Sequence, residues 1–207
     1  MRLLPCGDRA ILVELDDADE RRRFDAALRA AQLPGVVEQV PAATTVLVRL
    51  ARGTALQPVA DRLRRVFAEA PTTGSAGGDT AELTIEVVYD GADLDEVADT
   101  LGISREEVVR RHTGQLWTVE FGGFAPGFGY LIGSEGGLEV PRRDSPRTRI
   151  PAGSVGLAGE FSGVYPHASS GGWQLIGHTD LRLWDAERDP PALLRPGTRV
   201  TFVERDV

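Results

Sequence analysis

Residues 116–133 read LWTVEFGGFAPGFGYLIG, and here the chain passes from helical spacing to short apolar runs cut by glycine and proline. LWTVEF alternates as a strand does, and YLIG closes the stretch as a second strand. Further short runs follow: LEV, SVGLAGEF, WQLIGH, LRLWD and RVTFVE. Many short strands with frequent turns predict a closed β-barrel or a sandwich. The turn itself, with five glycines and four aromatic residues in 121–133, is no dinucleotide fingerprint. From Gly127 it runs G-x-G-x-x-x-G, one residue too long, and no amphipathic helix follows. Two readings stay open. It is a barrel turn whose Phe124, Phe128 and Tyr130 fill a core, or Gly127 and Phe128 belong to a rigid pocket wall with exposed amides.

Upstream, the order is strand, helix, strand, strand, helix, strand. AILVEL (10–15) is an apolar strand entered through Gly7-Asp8. DADERRRFDAALRAA is acidic at its start, as a helix dipole favours, and places Phe24, Ala27, Leu28 and Ala31 on one face until Pro34-Gly35 stops it. VVEQV and TVLVRL are two strands, and LQPVADRLRRVFAEA carries Leu56, Val59, Leu63, Val66 and Phe67 at helical spacing. This order matches a split β-α-β, ferredoxin-like unit. Residues 71–80, small and polar with repeated glycine, form a linker. After it come the strand LTIEVVYD, the helix LDEVADTL and a helix capped by Ser104 with Glu107 three residues on. The expected fold class is therefore α+β, with an N-terminal α/β domain over 1–80 and a β-barrel domain over 81–207.

Composition excludes several functions. The formal charge of −8 argues against nucleic-acid binding, which needs a basic surface. No segment is long and apolar enough to span a membrane, and the N-terminus lacks a signal-peptide core, so a cytoplasmic location is expected. The single cysteine, Cys6, rules out an intrachain disulfide and reads as a small buried hydrophobe. The three histidines are scattered, so no metal site is expected. The sequence contains no lysine and no asparagine. It can supply neither a phosphate-loop lysine nor a Schiff-base lysine, and no biotin can be attached to this chain.

Two segments carry candidate chemistry. In PRRDSPRTRIPAGS (141–154), Arg143, Arg147 and Arg149 share one parity on a backbone stiffened by prolines. Such arginines suit a carboxylate or phosphate, or equally a solvated edge of salt bridges. Ser154 sits in A-G-S-V-G, which departs from the nucleophile elbow at Ala152 and has no helix after it. The second segment, GVYPHASSGGWQLIGHT (163–179), gathers Tyr165, His167, Gly171, Gly172, Trp173 and Gln174. Trp173 stacks on a planar ligand or fills a core, while a histidine such as His167 exchanges protons near neutral pH. His112 closes a helix, where a cation would meet the negative dipole end.

Taken in order, GDRAILVEL, YDGADLDEVADTLGISREEVVRRHTG, FGGFAPGFGYL, VPRRDSPRTRIPAGSVGLAG, GVYPHASSGGWQLIGHT and LLRPGTRVTF resemble successive motifs of the allophanate hydrolase subunit 1 family. That family is also called the carboxyltransferase C/D subdomain, or KipI-like, family. The resemblance implies a cyclophilin-like barrel after the small α/β domain. It implies the B subunit of an ATP-dependent 5-oxoprolinase, a hydrolase of cyclic amides that converts 5-oxo-L-proline to L-glutamate. Implied partners are a carboxyltransferase A/B-like (KipA-like) C subunit and a LamB/YcsF-like A subunit, with ATP bound mainly by, or shared with, a partner subunit. Alternatives within the resemblance are inhibition of a sensor histidine kinase and a role in allophanate hydrolase or urea carboxylase. The implied site has His167 and Tyr165 as catalytic groups. Its substrate contacts are Arg143, Arg147, Arg149, Gly127, Phe128, Ser154, Gly171, Gly172, Trp173 and Gln174. Ser170, His178 and Thr198 depart from the family pattern, where proline, arginine and aspartate are common.

Overall fold

A computed structural model describes residues 1–71 and 81–206. The expected linker therefore lies, apart from Pro71, outside the described residues. By backbone proximity the chain divides into two compact units, Met1–Asp79 and Thr80–Val207.

In the first unit, strands β1 (Arg2–Pro5), β2 (Ala10–Glu14), β3 (Val36–Pro41) and β4 (Thr45–Leu50) form one sheet in the order β1-β2-β4-β3. Helices α1 (Ala18–Ala31) and α2 (Leu56–Glu69) complete the unit. All three pairings are antiparallel, so β2 and β3 run parallel on either side of β4. With α1 linking them, this is the split β-α-β arrangement. Asp17 starts α1 by accepting from the Glu20 amide at 2.7 Å, and Glu20 returns a bond from the Asp16 amide at 2.9 Å. Alternation in β4 turns Val46, Val48 and Leu50 inward, where they meet Phe24 and Leu28 of α1 and Val59 and Leu63 of α2. The fourth strand of the sheet comes from residues ahead of β2, not from LTIEVV. Cys6, expected to be buried, is exposed just beyond β1.

The second unit contains β5 (Glu82–Val87), α3 (Leu94–Leu101), α4 (Arg105–Thr113), β6 (Trp117–Gly122), β7 (Gly129–Gly133) and β8 (Arg147–Ile150). It continues with β9 (Ser154–Ala158), β10 (Phe161–Val164), β11 (Ser169–Gly171), β12 (Gln174–His178) and β13 (Arg199–Glu204). Seven strands follow the order β12-β9-β10-β7-β6-β13-β5, with β5 and β13 parallel and paired residue for residue. The sheet closes on itself just past β5, where Val88 and His178 exchange two backbone bonds of 2.9 Å. Beside this barrel, β8 and β11 form a separate two-stranded ribbon.

Four expectations change here. LEV forms no strand; only Val140 makes a bridge, to Gly159. SVGLAGEF is not one strand, because Ala158 pairs with Phe161 across a two-residue turn whose Gly159 has φ +57°. LRLWD forms no strand; it contributes one bridge, Trp184 to Ala192. His112 is no helix-end cation. Its ring is fully buried against Trp117 and Phe202, bonded at Nδ1 to the Tyr89 hydroxyl (2.7 Å) and at Nε2 to Ser162 Oγ (2.8 Å). Burial pulls its pKa down to about 3, so the imidazole is neutral.

Candidate functional site

The glycine-rich segment is the tight hairpin between β6 and β7, held by Gly123 N–H to Phe128 C=O at 3.2 Å and Phe128 N–H to Ala125 C=O at 3.0 Å. It delivers Phe128 into an aromatic cluster, edge-on to Tyr165 at 5.5 Å and to Trp173 at 5.3 Å. The barrel-turn reading of the segment is therefore realised in part. Phe128 and Trp173 are core residues, whereas Phe124 stands out of the turn, 57% exposed and with φ +64°. A phenylalanine in the left-handed region is unusual, and its edge rests on Phe128 and Tyr165. Gly127 has φ +82°, and a Cβ there would come within 2.8 Å of Trp184.

Tyr165 follows β10 and lies almost wholly inside the cluster. Burial raises its phenol above the usual range, against lowering contributions from the Trp173 backbone, Arg142 and Arg147. It is a neutral hydroxyl near pH 7. Gly171 fits beneath it, since a Cβ at that position would lie 2.5 Å from the tyrosine oxygen. Ser154 is buried in β9 and its carbonyl accepts from the Tyr165 amide at 2.9 Å. The oxygen-bearing wall is thus built from β9, β10 and the β8–β11 ribbon.

The arginine segment runs along this wall. Arg143 donates its amide to Gly172 at 2.8 Å, and Arg147 lies opposite Gly171 in the ribbon. Both guanidinium groups then converge on one carboxylate. Arg143 Nη1 and Arg147 Nη2 each donate to Asp93 Oδ1 at 2.6 Å, while Asp93 Oδ2 accepts from the Leu175 amide at 2.7 Å. Glu96 touches Arg143 at 3.4 Å from a more exposed position. Asp93 is 2% exposed. Burial opposes its charge most strongly, yet the Arg147 bond, the Leu175 amide and Arg143 together hold its pKa below the ordinary value. With Glu96 included, two guanidinium charges face two carboxylates.

The sequence reading missed Asp93. It precedes α3, where an aspartate reads as a helix cap, but its side chain makes no cap bond and turns across to the arginines. Gly91 makes this possible, because its amide reaches Ile176 C=O at 3.2 Å and any Cβ would strike β12 backbone at 2.3 Å. Four buried side-chain polar atoms without a hydrogen-bond partner among the described residues belong to the arginine segment, β11 and β12: Arg143 Nε, Arg147 Nη1, Ser169 Oγ and Gln174 Oε1. Thus Arg143, Arg147, Gly171, Gly172, Trp173 and Gln174 come together, with Phe128 and Tyr165 packed behind. Arg149 and His167 are exposed positions on the flanking ribbon and loop. His178 is half-exposed and pairs with Asp90 at 2.8 Å. Among the described residues no cluster of three metal-ligating side chains occurs, and no helix is long and apolar enough to cross a membrane.

Comparison with known proteins shows the family. Residues 1–194 match the family described as "Carboxyltransferase domain, subdomain C and D". The chain belongs to that family. It is 42% identical to the 5-oxoprolinase B subunit of Escherichia coli O157:H7 over 206 residues, covering 95% of this chain and 93% of the relative. Among solved structures it is similar to TTHA0988, with a TM-score of 0.76 and 35% identity. That match covers 96% of this chain, which spans 40% of the TTHA0988 chain. The urea carboxylase of Kluyveromyces lactis shares the fold at a TM-score of 0.80 and 20% identity, covering 99% of this chain and 22% of the enzyme.

Proposed function

We propose that this member of the carboxyltransferase C/D family is the B subunit of an ATP-dependent 5-oxoprolinase, working with partner subunits to open 5-oxo-L-proline to L-glutamate. The observation that carries the reading is end-to-end likeness to a protein of that name, at 42% identity over 95% of one chain and 93% of the other. In the reaction the ring C–N bond breaks, the carbonyl carbon gains a water oxygen, and the nitrogen leaves as the amine. ATP hydrolysis drives it.

A chain without lysine suits a divided site. It contributes cations and a wall, while the ATP-binding machinery belongs mainly to a KipA-like carboxyltransferase C subunit and a LamB/YcsF-like A subunit. In this reading Arg143 and Arg147 meet an anion of the substrate or of a phosphorylated intermediate, and Arg149 adds an outer cation. Amides near Gly127, Gly171 and Gly172 face developing oxyanions. Phe128, Trp173 and Ser154 fix the wall that carries them. Tyr165, held neutral by burial, acts as a hydrogen-bond donor rather than a base. Exposed His167 is the proton-transfer group.

The test is co-expression with both partners and measurement of ATP-dependent glutamate release from 5-oxo-L-proline. Turnover is expected only with all chains present, and Arg147→Ala should reduce it by at least about ten-fold, the scale of a lost charge-assisted hydrogen bond. Full turnover without this chain would refute the assignment. Carboxylation abolished by avidin, in place of lactam hydrolysis, would move the protein to the urea carboxylase branch.

A further inference from the structure

The Asp93 cluster has a property that neither ion pairing nor packing accounts for. One carboxylate oxygen receives two guanidinium groups, which leaves each arginine with a buried N–H that has no partner, at Arg143 Nε and Arg147 Nη1. Gln174, 3% exposed, has the complementary deficiency. Its Nε2 is turned to the Pro141 carbonyl at 3.5 Å, so its Oε1 is the free end, and that oxygen is also buried without a partner. Residues 141–147 and 169–174 are bonded to each other, so these atoms share one neighbourhood. Native interiors rarely leave buried donors and acceptors unmatched. Here both kinds are left over together, beside two convergent guanidinium groups. Arg143 and Arg147 side chains also keep 28% and 24% of their surface exposed, so the cluster is open on one side.

We propose that Asp93 is a positioning residue that presents Arg143 and Arg147 as a paired receptor for one carboxylate, with Gln174 Oε1 accepting from an N–H adjacent to that carboxylate. The ligand class is a small monoanion carrying a cyclic amide or amine nitrogen next to the acid. This deepens the 5-oxoprolinase reading and rests on it. Asp93 does not touch the ligand. It sits between two guanidinium groups that would otherwise repel, and the Leu175 amide fixes the carboxylate itself. An asparagine would keep the shape but lose the charge, and its NH2 would face either the Leu175 amide or a guanidinium, donor against donor.

The experiment uses the assembled complex and measures kcat and KM for 5-oxo-L-proline, with inhibition by cyclopentanecarboxylate (acid, no N–H) and 2-pyrrolidinone (N–H, no acid). Asp93→Asn should raise KM by about ten-fold or more, the scale of charge-assisted hydrogen bonds, with kcat changed by less than about three-fold. It should weaken cyclopentanecarboxylate in step and leave 2-pyrrolidinone unaffected. Gln174→Met should do the reverse, weakening 2-pyrrolidinone and sparing cyclopentanecarboxylate. If Asp93→Asn does not fold, Arg143→Lys, which keeps charge but loses the forked geometry, should show the same KM-selective effect. An internal water would satisfy the same orphaned atoms, but substitution would then leave KM and both inhibition constants unchanged. That result, with wild-type turnover intact, would overturn this inference alone. A wild-type complex that does not turn over 5-oxo-L-proline would overturn the functional reading and this inference with it.

Discussion

Replacing His112 by phenylalanine should change the pH dependence of stability in a specific direction. In the unfolded chain this imidazole titrates near 6.5, whereas burial in the second unit brings it down to about 3. Between those values the unfolded state binds a proton that the folded state refuses, so stability falls as the solution is acidified. The slope is about 1.4 kcal/mol per pH unit. From pH 6.5 to 5.0 the wild type should thus lose about 2 kcal/mol through this residue. The phenylalanine variant starts lower, because the Tyr89 hydroxyl and Ser162 Oγ lose their shared partner. Each orphaned hydroxyl costs about 1–3 kcal/mol. The gap between the proteins should then be widest at pH 7.5 and narrow by about 2 kcal/mol at pH 5.0. Urea unfolding followed by tryptophan fluorescence suits this comparison, since Trp117, Trp173 and Trp184 all belong to the second unit. Carboxylate titrations contribute alike to both proteins and cancel in the difference. Parallel stability curves between pH 6.5 and 5.0 would refute the reasoning.

Two further substitutions test the local architecture. Gly171→Ala places a Cβ 2.5 Å from the Tyr165 oxygen and 3.0 Å from Ile150; the overpacking should cost about 1–3 kcal/mol in thermal or urea unfolding, and an unchanged midpoint would show that the ribbon yields freely. Ser104→Ala removes the 3.2 Å bond that caps α4 at the Glu107 amide, so about 1 kcal/mol of stability should go, and Ser104→Asn should restore most of it.

Local periodicity made much of the architecture readable. Phe24 and Leu28 are spaced for one helical face, and Val46, Val48 and Leu50 for one strand face, and each set is buried as its spacing requires. Ser104 followed by Glu107 marked the start of α4 correctly. What escaped were properties set by distant partners. SVGLAGEF holds two glycines, Gly156 inside β9 and Gly159 in the turn, and only the pairing of Ala158 with Phe161 reveals which of them ends the strand. His112 ends a helix in sequence, but its burial depends on Tyr89, Ser162 and Phe202, which are far away along the chain. The arginine segment was recognisable as a set of cations on a stiff backbone from its parity and prolines. Its counter-ion was not, because any of 31 acidic residues could have served, and the choice of Asp93 depends on a chain approach permitted at Gly91. Tyr165 and Trp173 drew attention as site residues for their chemistry, and the fold uses their bulk in the aromatic core.

The parallel partnership of β5 and β13 bears on how the protein is made. Residue 82 lies against residue 199, and 87 against 204, so one seam of the barrel joins segments separated by more than half the sequence. On a ribosome, β5 emerges long before its neighbour exists. Through that interval its outer edge and the apolar side chains of Ile85 and Val87 have no companion strand, a state that favours aggregation. Such long-range closure is also slow. A chain interrupted before Arg199 would keep the first unit's sheet intact while leaving the second unit open along this seam. The nascent protein's exposure to chaperones and proteases is therefore set by the time taken to translate from β5 to β13.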